Sequence, residues 1–230
     1  MPPAERATFQ ATADAIARAV AEDAARLGRL AKWLGGQGVD GSLVASGVAF
    51  GLLEPTHPLM TATVRAIRHE LVIDRGVHRY REDTYYGGGQ WLLLAAMLGW
   101  HDALVGDRAQ ALAQLDWVAD HASPEGHLPE QVPDHLLAPA MEDHWLQAWG
   151  PVASPLLWSH AMYLTLALEH ETDVHSRCLR AVDRVARVPV RPSNRASPTG
   201  GVACHPSAKT LAARPLRTRS IWASSLARRA

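Results

Sequence analysis

Apolar residues in the first part of the chain recur at steps of three, four and seven, the spacing of one helix face. Over residues 4–34 the stripe is Phe9, Ile16, Val20, Leu27 and Leu30, and Gly35 and Gly36 are the expected stop. A shorter helix is expected over residues 42–53, capped by Asp40 or Ser42 and followed by Pro55. After Pro58, Met60, Val64, Ile67 and Leu71 share a face and predict a third helix, closed by Gly76. Residues 88–105 are apolar nearly all round, which suits a helix packed on most sides. A fifth helix follows a cap at Gly106 and Asp107 and runs to about residue 122 through Leu112, Leu115 and Val118. A sixth covers roughly residues 153–170.

Residues 74–87 and 123–150 form long loops rich in aromatics, carboxylates and histidines, and long loops on a rigid scaffold commonly carry function. No stretch alternates apolar and polar residues for long enough to predict strands, so residues 1–171 are read as one all-α domain. Residues 172–230 differ in kind. Arginine, alanine, serine and proline dominate there, apolar periodicity fades after Val188, and only Asp173 and Asp183 oppose a run of basic residues from Arg177 to Arg229. Such a segment buries too little apolar surface to offset its chain entropy. It is read as an Arg-rich tail, disordered apart from a few helical turns at 174–188. A shifted reading frame near residue 172 would produce so abrupt a change.

The formal net charge is zero, so the totals carry no electrostatic footprint of a nucleic-acid or membrane partner. Cys178 and Cys204 both lie in the tail without zinc-site spacing, and the histidines form no pair with a third ligand, so neither a metal nor a cofactor is expected. The apolar run over 91–98 is too short to cross a bilayer, and the first residues lack a basic segment followed by an apolar one. A soluble, cytoplasmic chain is the expectation.

Two loop segments carry candidate chemistry. The first, Arg79-Tyr80-Arg81-Glu82-Asp83-Thr84-Tyr85-Tyr86-Gly87-Gly88-Gly89-Gln90-Trp91, joins a charged cluster to a glycine run that lets backbone approach a ligand. Spacing alone allows the plainer reading of a helix-entry loop whose Arg and Glu pair at the surface. The second, Gly126-His127-Leu128-Pro129-Glu130-Gln131, places one glutamate between a proline and an amide, and a lone loop glutamate is usually only solvated. Taken together they suit glycoside hydrolysis. That reaction needs two carboxyl groups, and Trp faces and Arg donors suit sugar rings and hydroxyls.

Together these segments resemble glycoside hydrolase family 15, the glucoamylase family, in its Arg-Tyr-x-Glu-Asp-x-Tyr-Tyr-Gly segment, the tryptophan after it and the later Pro-Glu-Gln. Pro155-Leu156-Leu157-Trp158-Ser159-His160-Ala161 resembles the family's next motif, and Gly38-Val39-Asp40-Gly41-Ser42-Leu43 looks like a degraded earlier one. The resemblance covers about residues 10–170. It implies an inverting hydrolase of terminal α-linked glucose in starch-type oligosaccharides, dextran or trehalose. The fold implied is part of an (α/α)6 toroid, about six helices of twelve. By position, Glu130 matches the general base and Arg79 a residue binding the cleaved glucose. Glu82, Asp83, Trp91, Gln131 and Trp158 match positions that line or support the pocket.

The chain departs from the family in its general acid. That group belongs to a Trp-Glu segment earlier in the family, and nothing between Met1 and Trp33 matches it; Glu5 and Glu22 lack Trp or Arg neighbours. The reading is therefore the C-terminal half of the catalytic domain, inactive alone, whose open edge would suit a complementary N-terminal half. The competing reading is a non-catalytic helical fragment that binds a carbohydrate or a protein partner.

Overall fold

The computed structural model describes residues 2–186. Residues 1–176 pack as one unit; the second unit begins at Arg177 and is described only as far as Ala186. The expectations of disorder and of a shifted frame fall mainly on residues 187–230, outside the described residues.

Helix α1 spans Pro3–Leu27 and opens with proline at its first turn, where the missing N–H costs nothing. It ends seven residues before the expected stop because Gly28 takes the left-handed conformation, φ 82°, and returns its N–H to Ala24. Asp40 caps the next element, accepting from the Ser42 N–H at 2.9 Å, but in place of a full helix stand a 3-10 turn over Gly41–Val44 and one α-turn, α2, over Ala45–Val48. Helix α3, Pro58–Leu71, buries Met60, Val64, Ile67 and Leu71, the face its spacing predicts. It stops short of Gly76, because β1 (Val72–Ile73) turns back on β2 (Gly76–Val77) through Asp74 and Arg75, both at positive φ.

Strand β3 (Gln90–Trp91) leads into α4, Leu92–Val105, whose residues from Leu92 to Gly99 are all buried. Asp107 caps α5, Arg108–Asp120, by accepting from the Gln110 N–H. A second partner strand, β4 (Gln131–Val132), and helix α6 (Glu142–Trp149) lie in the expected long loop, and α7 covers Leu157–Ala186. The short β3–β4 pair sets Gln90 opposite Val132 and Trp91 opposite Gln131.

Among the described residues the architecture is mostly helical with no closed sheet, consistent with part of an all-α toroid. Helix α4 is its most buried helix. At Gly99 a Cβ would meet Gln114 of α5 and Leu166 of α7, each at 2.8 Å, so three helices meet at one small residue. Asp102, 3 % exposed in its side chain, ties α4 to Arg68 of α3 at 2.5 Å. The outer apolar residues are a different matter: Phe9, Ile16, Leu157, Trp158 and Leu164 are all more than half exposed.

Candidate active site

The segment 79–91 folds around Asp83. Its carboxylate, 1 % exposed, accepts from Arg79 Nε at 3.0 Å and Nη2 at 2.6 Å, and from the Tyr85 N–H at 3.1 Å. Burial pulls the Arg79 guanidinium pKa down, but the hydrogen bonds and charge of Asp83 outweigh it and hold it above its ordinary value. The chain then reverses through Tyr86, Gly87 and Gly88, at φ 48°, 78° and 71°. Left-handed backbone at a tyrosine costs roughly 1–2 kcal/mol, a strain that sequence reading assigns to glycine alone.

The next glycine answers to a different constraint. A Cβ on Gly89 would sit 2.2 Å from the Val132 carbonyl oxygen, because β3 and β4 approach backbone to backbone there. Gly89→Ala is therefore expected to lower stability by about 1–3 kcal/mol, read as a drop in the urea midpoint. An unchanged midpoint would mean that the strands can part at no cost.

The strand pair places Glu130. Its carbonyl accepts from Leu92 N–H at 3.4 Å and its own N–H donates to the Ala153 carbonyl at 2.9 Å. The start of α7 fixes the residues before it. Leu156 N–H donates to the Leu128 carbonyl, Ser159 Oγ donates to the Pro129 carbonyl at 2.8 Å, and His160 Nε2 accepts from Leu128 N–H at 3.0 Å. Held from both sides, the half-buried Glu130 accepts from the Tyr85 hydroxyl at 3.2 Å.

That contact joins the two loop segments. Arg79 Cζ lies 5.2 Å from the Tyr85 ring centroid and 4.9 Å from that of Trp91, and these two rings stack at 6.0 Å. Trp145 of α6 closes the cluster edge-on to Tyr85 at 4.9 Å and 5.8 Å from Tyr86. Burial, then the charge and hydrogen bond of Glu130, push the Tyr85 hydroxyl pKa up, so the phenol stays a donor and Glu130 the acceptor.

The sequence candidates divide. Arg79, Asp83, Trp91, Glu130 and Gln131 come together; Gln131, buried, donates to the Tyr85 carbonyl at 3.3 Å. Glu82 is exposed, and Trp158 is 55 % exposed, with neither joined to the cluster by a described hydrogen bond or ring contact. Tyr85 and Trp145 were missed as site residues. A cleft of about 270 Å³ lies elsewhere, between α1 and residues Leu52, Leu53 and Leu59. Among the described residues no group of histidine, cysteine and carboxylate side chains could hold a metal, and no helix is long and apolar enough to cross a membrane.

His78 underlies the site. It is 1 % exposed, its Nδ1 lies 3.0 Å from the Gly88 carbonyl, and its Nε2 meets no partner. Burial lowers its pKa, an effect that the backbone contacts to Gly88 and Gly89 offset only in part. Below the ordinary histidine value the unfolded chain therefore binds a proton that the folded chain resists, so His78 stabilises near neutrality and its contribution is lost on acidification. The urea midpoint is expected to fall from about pH 7 to about pH 5, and to fall less in His78→Phe. Equal slopes would remove His78 as the cause.

No protein-family model matches the chain. It is 54 % identical over 142 residues to an isomaltose glucohydrolase of Kribbella flavida, covering 62 % of this chain and 37 % of that one. A solved wild-type glycosidase is 50 % identical with a TM-score of 0.69, over 74 % of this chain and 45 % of that chain. A glutamate-to-alanine variant of a glycosidase in complex with glucose matches at 49 % identity and the same TM-score. The chain is related to glycoside hydrolases. It spans less than half the length of these relatives.

Proposed function

We propose that this chain is the base-bearing part of a family 15 glycoside hydrolase that releases glucose from terminal α-linked positions with inversion. The observation that carries the reading is the Tyr85–Glu130 hydrogen bond, which brings a loop carboxylate onto the same aromatic platform as Arg79. The kinship to an isomaltose glucohydrolase and to a glucose-bound glycosidase supports a glucoside as substrate.

In this reading Glu130 takes the proton of a water molecule whose oxygen attacks the anomeric carbon from the face opposite the leaving group. A second carboxyl group protonates the leaving oxygen, the two groups standing roughly 6.5–9.5 Å apart to admit that water. Tyr85 holds Oε2 of Glu130 and leaves Oε1 toward the water. Arg79 spends Nε and Nη2 on Asp83, which directs Nη1 to sugar hydroxyls. Trp91, 9 % exposed, and the buried Asp83 and Gln131 support these groups from beneath; Glu82 and Trp158 approach a sugar only from the solvent side.

The acid is proposed to come from the part of the fold that this chain does not span, since nothing between Met1 and Trp33 matches the Trp-Glu segment that carries it in the family. The same observation favours a second reading, a carbohydrate-binding chain without turnover. A chimera in which this chain replaces the matching stretch of the Kribbella flavida enzyme tests the first reading. Early NMR spectra of isomaltose hydrolysis are expected to show β-glucose before its mutarotation. Appearance of α-glucose first would exclude inversion. The chain alone is expected to give no turnover.

A further inference from the structure

The run Leu128-Pro129-Glu130 offers five backbone hydrogen-bonding groups, since proline has no N–H. All five are engaged. Leu128 N–H donates to His160 Nε2 at 3.0 Å, and the Leu128 carbonyl accepts from Leu156 N–H at 2.8 Å. The Pro129 carbonyl accepts from Ser159 Oγ at 2.8 Å. Glu130 N–H donates to the Ala153 carbonyl at 2.9 Å, and the Glu130 carbonyl accepts from Leu92 N–H at 3.4 Å. Four of the five partners thus lie between Ala153 and His160, and the one outside makes the longest bond. Strand β4 begins one residue later, at Gln131, so the run up to Glu130 rests on residues 153–160.

Two of these partners are side chains, from adjacent positions in the first turn of α7. Their roles are opposite. A backbone N–H only donates, so His160 Nε2 is the acceptor and the ring proton sits on Nδ1; a carbonyl only accepts, so Ser159 Oγ is the donor. Ser159 is fully buried and Leu128 is 4 % exposed, so water does not readily replace either bond. On the same turn Leu157 and Trp158 are mostly exposed. The segment 155–161 therefore sends Ser159 and His160 inward to the run before Glu130 and turns its large apolar side chains outward.

We infer that Ser159 and His160 are positioning residues for the proposed base, which they act on through the backbone of residues 128–130; the inference rests on Glu130 being that base. The Glu130 carboxylate stands at the end of a flexible stem and meets the Tyr85 hydroxyl at 3.2 Å only while its backbone is held. A displacement of about 1 Å at a reacting group can cost on the order of 10²-fold in rate. One hydrogen bond at a loop is by contrast a small part of the stability of the whole fold. Loss of either side chain is therefore expected to lower turnover more than it lowers stability.

In the full chain, nitrogen NMR spectra of the His160 ring are expected to show the proton on Nδ1, and a neutral ring protonated on Nε2 overturns the clamp. The Glu130 carboxyl-carbon resonance, assigned by its absence in Glu130→Gln, is expected to move in His160→Phe and to return in His160→Gln, whose amide oxygen still accepts from Leu128 N–H. Neither readout needs turnover. In the chimera with the Kribbella flavida enzyme, His160→Phe is expected to lower kcat by about 10- to 100-fold with KM little changed, and His160→Gln to recover most of the loss. Should His160→Phe fail to fold, Ser159→Ala, which removes a single oxygen, is expected to lower kcat by about 3- to 10-fold. An unmoved Glu130 resonance, an unchanged kcat, or a loss in His160→Gln as large as in His160→Phe overturns the positioning role. A chimera indifferent to Glu130→Gln overturns Glu130 as the base instead, and the carboxyl resonance of the full chain still decides whether Ser159 and His160 hold it.

Discussion

Replacing Asp83 with alanine is expected to destabilise the protein by about 3 kcal/mol, seen as a lower urea midpoint with little change in slope. Three donors lose their acceptor at once: Arg79 Nε, Arg79 Nη2 and the Tyr85 N–H. Removing one partner of a buried pair costs roughly 3–5 kcal/mol because the other charge is left desolvated. Arg79 keeps 30 % of its side-chain surface in water, which places the effect at the low end of that range. Asp83→Asn separates charge from shape, since its amide oxygen still accepts from Tyr85 while the bidentate pair is lost. Its cost is expected to fall between those of the wild type and Asp83→Ala. A loss below about 1 kcal/mol for the alanine variant would mean that Arg79 is held by something other than Asp83.

The helices were legible where packing obeys the local pattern. The stripe of Met60, Val64, Ile67 and Leu71 marks the buried face of α3, and the apolar run 92–99 is buried because α5, α2, the Gly41–Val44 turn and β2 pack against α4, with Leu166 of α7 at Gly99. Boundaries were less so. Seven residues separate Leu27 from the expected end of α1 because the left-handed turn falls at Gly28 and not at Gly35. Strands of two residues are too short to show alternation, so the pair that seats Glu130 left no periodic signal.

The site was legible as two motifs but not as one constellation. Tyr85 and Glu130 stand 45 residues apart, and only tertiary structure brings a phenol to a carboxylate. Trp145 had a local signal that went unread: Glu142 and Asp143 occupy the first turn of α6, with Trp145, Leu146 and Trp149 at helical spacing behind them. The apolar stripe of α1 was read correctly as helical, yet its first part, Phe9 and Ile16, faces solvent while Leu30 is buried, because periodicity tells which residues share a face and not what covers it.

Glu130→Gln is the substitution with the largest expected effect on chemistry. The amide keeps the size of the side chain and an oxygen that accepts from Tyr85, so the platform of Tyr85, Trp91 and Arg79 stays assembled. What disappears is the group that accepts a proton from water. Turnover is expected to fall by about 10²–10⁴-fold with the Michaelis constant little changed, the pattern of an interaction made in the transition state alone. Asp83→Ala should instead alter both, since Arg79 loses its orientation. The decisive measurement is the initial rate of isomaltose hydrolysis by the chimera with Kribbella flavida isomaltose glucohydrolase, compared with the same chimera carrying Glu130→Gln. A fall of two orders of magnitude or more, at an unchanged urea midpoint, is the predicted result; equal rates in the two proteins would contradict the assignment of Glu130 as the base.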